Sequence, residues 1–189
     1  MSVQKLKLNI NISSFDLSLN RLGLWLFIIS DISFFVALIS SRFFVYGVVT
    51  PDDINQYLGL GLTILLLTSS LTAYRSEIAA KNQNFEEAQR NLLYTIIMGI
   101  LFIIGVGFEW NLAFHHESTQ PSSPYGTILF TLTGVHAFHV ISGILIFVFV
   151  YFNNPSSKNN YWKIEASAKW WHLVDLAWVA IYPTLYLIN

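Results

Sequence analysis

The sequence predicts an all-α integral membrane protein: a bundle of five transmembrane helices, N-terminus inside and C-terminus outside. Three observations carry that prediction. Only 11% of the 189 residues are Asp, Glu, Lys or Arg while 54% are apolar, and mean hydropathy is +0.53, whereas a water-soluble domain carries about 25% charged residues. The apolar residues gather into five runs, each near the ~20 helical residues that cross about 30 Å of hydrocarbon. The basic residues between those runs fall almost entirely on one side. A spanning β-barrel would need alternating strands, and runs such as LFIISDISFFVALIS and LLLTSSLTA do not alternate.

The elements follow in order. Residues 1–21 form a polar, mixed inner N-terminal segment without the small-residue cleavage site of a signal peptide, so the first span is expected to be retained. The spans run approximately from Leu22 to Tyr46, Tyr57 to Tyr74, Leu92 to Ala113, Thr127 to Phe152 and Trp170 to Ile188, and residues 22–189 read as a single domain. Pro51, Pro121, Pro124 and Pro155 fall in three of the connecting loops, and Pro183 inside the last span. Lys5, Lys7 and Arg21 precede the first span, Arg75, Lys81 and Arg90 separate the second and third, and Lys158, Lys163 and Lys169 separate the fourth and fifth. The positive-inside rule places those nine on the cytoplasmic side. The opposite loops, VVTPDDINQ with Asp52 and Asp53 and HHESTQPSSP with Glu117, contain no Lys or Arg, and only Arg42 lies in the outer half. Tyr46, Tyr57, Tyr74, Trp110, Tyr125, Tyr151, Trp170, Trp171 and Tyr186 lie near span ends, as an interfacial aromatic belt should.

Composition also excludes functions. Zero cysteines remove disulfides, thiolate nucleophiles and iron–sulfur ligation. A net charge of −1 gives no basic footprint for nucleic acid. No glycine-rich phosphate loop, GxSxG elbow or HExxH motif is present.

The informative residues are the ionisable ones inside the hydrocarbon. Asp31 stands ten residues past Arg21, about 15 Å deep at ~1.5 Å per residue. A carboxylate there costs at least ~2.5–3.5 kcal/mol, so it must be protonated, paired or turned toward protein. Two readings stay open: a protonated Asp bonded to a neighbouring helix, or a group that tunes a proton pathway. In the fourth span, TGVHAFHVISG places His136, His139 and Gly143 on one helical face. Glu109 stands near the outer end of the third span, and WWHLVDLAW puts His172 and Asp175 one turn apart near the inner interface. Such His and carboxylate pairs occur in metal sites. Their differing depths, and a total of five His, weigh against one metal cluster. Cross-links between helices, a lipid headgroup site and an interior water chain are the other readings.

At these residues the sequence resembles subunit III of the haem–copper respiratory oxidases, the cytochrome c and quinol oxidases. The resemblance runs from about Arg21 to the C-terminus. It rests on RLGLWLFIISD, LLLTSSLTAY, the FEW around Glu109, TGVHAFHVISG, and Glu165 seven residues before His172 in WWHLVDLAW. It implies an accessory, metal-free core subunit in a five-span form, without catalytic or metal-ligating residues of its own. Haem and copper would belong to partners: catalytic subunit I, subunit II and other small subunits. The implied roles are stabilising the catalytic subunit during oxygen reduction and proton pumping, supporting proton uptake, and holding phospholipid in a cleft between helices. Asp31 matches the family's buried carboxyl position, which is Glu in many members. Glu109, His136, His139, Glu165, His172 and Asp175 match its polar helix-packing or lipid-cleft positions, and Trp171 and Trp178 its aromatic ones. The resemblance points to a prokaryotic plasma membrane. A free-standing membrane metalloenzyme built on the same His, Asp and Glu residues is the alternative.

Overall fold

The computed structural model describes residues 3–47, 51, 55–153 and 161–188, with the side chains of residues 3–16 left aside. Asp52, Asp53, Pro155 and Lys158 lie outside the described residues. Five helices follow one another: α1 (Val3–Val45), α2 (Gln56–Lys81), α3 (Phe85–Phe114), α4 (Pro124–Phe152) and α5 (Tyr161–Tyr186).

Every helix begins before its expected span; α2 and α3 also run past its end, α4 stops with it at Phe152, and α1 and α5 stop one and two residues short, at Val45 and Tyr186. α1 continues back through the polar N-terminal segment because residues 3–22 contain neither Pro nor Gly to stop it. α2 and α3 extend beyond the apolar runs at Tyr74 and Leu92 until a tight turn with Gln83 at φ 61° reverses the chain. Short polar side chains set the starts: Asn55 accepts from the Leu58 amide, Asn84 from Glu87 and Ser123 from Gly126. Pro124 does not lie in the loop as expected. It is the first residue of α4, where its missing N–H costs no intrahelical bond.

α2, α3, α4 and α5 close into a ring: α2 packs on α3 and α5, and α4 packs on α3 and α5. α1 stands outside, touching α5 and, less, α4. Its contact stripe repeats every seven residues, with Ile28, Phe35 and Arg42 buried and Arg21 beginning the series. Four helices, α1 to α4, are long and apolar enough to cross a membrane. α5 has comparable length but carries Lys163, Glu165, Lys169 and Asp175. It tolerates them because Ile164, Glu165, Trp171, Val174, Asp175 and Trp178 are all buried against neighbouring helices.

The aromatic belt is only partly realised. Tyr57 and Tyr74 are exposed, whereas Tyr125, Trp171 and Tyr186 are buried inside the bundle and hydrogen-bonded there. A residue near a span end faces lipid or protein according to its angle on the helix, and these three point inward.

Candidate functional site

An apolar cleft lies between α1, α4 and α5. Leu24 and Phe27 of α1, Phe138 and Phe149 of α4, and Trp162 and Trp170 of α5 wall a volume of about 610 Å³. Its polar lining is sparse: His139, Ser142, Lys163 and Ser167. Trp170 stacks on Phe27 at 5.2 Å and on His139 at 5.9 Å, so one indole joins all three helices.

Asp31 meets His139 beside this cleft, with Oδ1 3.4 Å from Nε2. The other ring nitrogen, Nδ1, lies 2.7 Å from the Val135 carbonyl. A carbonyl only accepts, so Nδ1 carries the hydrogen there and Nε2 is the ring nitrogen turned to the Asp31 carboxyl. Phe35 covers His139 edge-on at 4.9 Å.

At one end of the cleft, Glu165 is buried and accepts from Arg21 Nη2 at 3.0 Å and from Lys169 Nζ, tying α1 to α5. Burial alone would raise the Glu165 carboxyl. The hydrogen bonds from Lys169 and Arg21 outweigh it and hold the group below its ordinary value. Arg21 also lies over the Trp162 ring at 5.8 Å.

The remaining polar residues are dispersed along the ring. His136 is fully buried among Phe35, Phe102 and Trp178, 60° round α4 from His139 by the ~100° step of a helix. Glu109 accepts from the Tyr186 hydroxyl. His172 shares a 2.6 Å hydrogen bond with Ser70, and Asp175, one turn on, is buried beside the same hydroxyl. Trp171 and Trp178 donate to Ser69 at 2.9 Å and to Thr63 at 3.0 Å, so α5 is pinned to α2 by two indole N–H groups. Among the described residues, no three His, Asp or Glu converge as metal ligands.

The structure thus brings Asp31 together with His139, and leaves Glu109, His136, Glu165 and the His172 and Asp175 pair at separate stations. In the sequence, Arg21, Lys163 and Lys169 stand out as topology signals, and Arg21 also opens RLGLWLFIISD, but their charge alone does not show a partner. The four-residue step from Glu165 to Lys169 was a readable sign of pairing. The hydroxyls of Thr63, Ser69 and Ser70 carried no such sign, since their partners lie about a hundred residues away.

Comparison with known proteins agrees with this architecture. The family model for cytochrome c oxidase subunit III matches residues 16–189. The "Probable cytochrome c oxidase subunit 3" of Mycobacterium leprae is 30% identical over 185 residues, covering 91% of this chain and 92% of its own. Cytochrome c oxidase subunit 3 of Corynebacterium diphtheriae is 34% identical over 141 residues, 72% of this chain and 68% of the relative. That of Drosophila melanogaster is 31% identical over 181 residues, 88% and 68%. Family membership makes this a multi-pass membrane protein, and its bacterial relatives imply the plasma membrane. It also sets aside a free-standing metalloenzyme, because subunit III is the non-catalytic subunit of its complex and its family generally lacks metal centres. The chain belongs to the cytochrome c oxidase subunit III family and is a subunit of that oxidase complex.

Proposed function

We propose that this chain supports oxygen reduction and proton pumping by stabilising the catalytic subunit, sustaining proton uptake and holding phospholipid in the cleft between α1, α4 and α5. Its partners are subunit I, subunit II and smaller subunits, which hold the haem and copper. The Arg21, Arg90 and Lys169 ends of the helices face inward and the Glu109 end outward, following the basic residues. Residues 22–189 act as one domain.

The observation that carries this reading is the Asp31 and His139 pair, at the wall of an apolar cleft whose mouth holds Lys163. The cleft is large enough for acyl chain segments, and Lys163 supplies a cation for a headgroup phosphate. The pair sets a carboxyl 3.4 Å from an imidazole in a low-dielectric wall, so its electrostatics respond to what lies in the cleft. Asp31 tunes proton uptake through this pair. Glu109, His136, Glu165, His172, Asp175, Trp171 and Trp178 hold the helices in register.

Asp31→Asn in the intact oxidase tests it. The amide keeps the shape and a hydrogen bond but cannot carry a proton. The expected result is normal assembly with a modest fall in pumping stoichiometry, or in activity during sustained turnover. A complex that fails to assemble makes Asp31 a structural residue, and one that pumps unchanged through sustained turnover removes the tuning role.

A further inference from the structure

A second concavity, of about 480 Å³, lies at the other face of the ring, where the ends of α2 and α3 meet their turn. It differs in kind from the cleft of α1, α4 and α5, and its interpretation does not depend on the proposal for that cleft. α2 contributes Arg75, Ile78 and Ala79 and its C-cap Asn82, spaced i, i+3, i+4 and i+7, which is one face of a helix. α3 contributes Glu87, Arg90, Asn91 and Tyr94 at the same spacing. Two helix faces therefore turn one arginine each, and a side-chain amide each, into one groove.

Neither guanidinium makes a hydrogen bond or ion pair among the described residues. Both arginines and Glu87 are exposed side chains. Glu87 instead accepts from the Asn84 side chain at 2.8 Å. The groove's charge is two cations against one anion, so its vacant donors suit a singly charged acceptor group with several oxygens. Toward the middle of the membrane, the polar groove continues into an apolar surface. Leu71 and Leu67 follow Arg75 one and two turns along α2, and Ile97 and Leu101 follow Tyr94 along α3. All four are between 45% and 49% exposed. A polar mouth above a lipid-facing apolar track is the outline of an amphiphile.

We propose that the α2–α3 groove binds the phosphodiester headgroup of a membrane phospholipid, with Arg75 and Arg90 on the phosphate and the acyl chains along Leu71 and Ile97. Asn82 and Asn91 supply amide donors to the remaining phosphate or ester oxygens. Glu87 faces the distal part of the headgroup and favours one carrying a hydrogen-bond donor, such as the glycerol hydroxyls of phosphatidylglycerol, over a choline that has none.

The test uses the intact oxidase in detergent, delipidated and then reloaded from phosphatidylglycerol or phosphatidylcholine, with retained lipids counted by native mass spectrometry. Arg75→Gln and Arg90→Gln are each expected to weaken retention of one phosphatidylglycerol by about tenfold, since each removes a charge-assisted contact. Lys81→Gln, which removes a cation of α2 outside the groove, should leave it unchanged. Phosphatidylcholine should be held less tightly, and millimolar inorganic phosphate should not displace the lipid. Retention indifferent to both arginines overturns the proposal, as does an equal loss in Lys81→Gln. Displacement by inorganic phosphate overturns it too, by making the groove a soluble-anion site. Co-purification of the partner subunits with each variant separates loss of lipid from loss of assembly.

Discussion

Gly143 tests how tightly the ring is packed around Trp171. A methyl group at Gly143 would lie 2.8 Å from Cε3 and 2.9 Å from Cζ3 of that indole, and 3.4 Å from Cδ1 of Trp170. Carbon atoms in contact sit at about 3.5–4.0 Å, so something must yield by roughly 0.7 Å. The indole has little room to do so. Across it, the Cβ position of Gly99 is already 2.8 Å from Cη2, Phe147 covers another side at 5.3 Å, and Nε1 is bonded to Ser69. Overpacking of this kind costs about 1–3 kcal/mol. Gly→Ala in a helix also gains roughly 0.5–1 kcal/mol from the backbone, so a control is needed. Gly107 provides one, with nothing within 4 Å of its Cβ position. In denaturant titrations in mixed micelles, Gly143→Ala should therefore be about 1–3 kcal/mol less stable than Gly107→Ala. Adding Trp171→Phe should recover part of that difference, giving a coupling energy above ~0.5 kcal/mol. Equal stability of the two alanine variants, or additive effects with Trp171→Phe, would refute a closed slot around the indole.

Two further outcomes follow from the end and the wall of the cleft. Glu165 has a folded value held below the ordinary 4.5 by Lys169 and Arg21, so its contribution is complete above about pH 4.5 and drains as pH falls through the lower folded value. Glu165→Gln should cost about 1–3 kcal/mol at neutral pH, less than a wholly buried pair because Arg21 is half exposed. It should also flatten the acid limb of a stability–pH profile, and an unchanged acid limb would remove Glu165 from that role. Ser142→Trp places an indole into the cleft of α1, α4 and α5, and phosphorus analysis of the purified oxidase should read about one phospholipid fewer. Unchanged phospholipid content would mean that lipid does not occupy this cleft.

The five helices were legible because a run of about 20 apolar residues admits few other structures. The site was legible only in its parts. Asp31 announced itself by depth and His139 by its place in TGVHAFHVISG, yet the pairing rests on α1 leaning against α4, and no local pattern encodes that. His136 and His139 read as one face, but a step of three residues leaves ~60° between them. That angle sends His136 to the ring interior and His139 to α1. The arginine at position 21 gave its side of the membrane by its charge, but its partner Glu165 is 144 residues away. Glycines 99 and 143 were visible as small residues, and only the bundle showed that one indole fills the gap between them.

The distribution of polar groups follows from the solvent. Between helices in lipid, burying a leucine gains little, because acyl chains are as apolar as the side chain, and many sliding registers are nearly equal in energy. Hydrogen bonds break that degeneracy, since a displaced register would leave donors unpaired in hydrocarbon. In this chain they concentrate on α5: Glu165 to Arg21 on α1, Trp171, His172 and Trp178 to Ser69, Ser70 and Thr63 on α2, and Tyr186 to Glu109 on α3. Trp170 adds the stacked contact toward α4 through His139. The helix that fits a membrane span least well by composition is thus the one that fixes the other four, and its polarity is the means by which it does so.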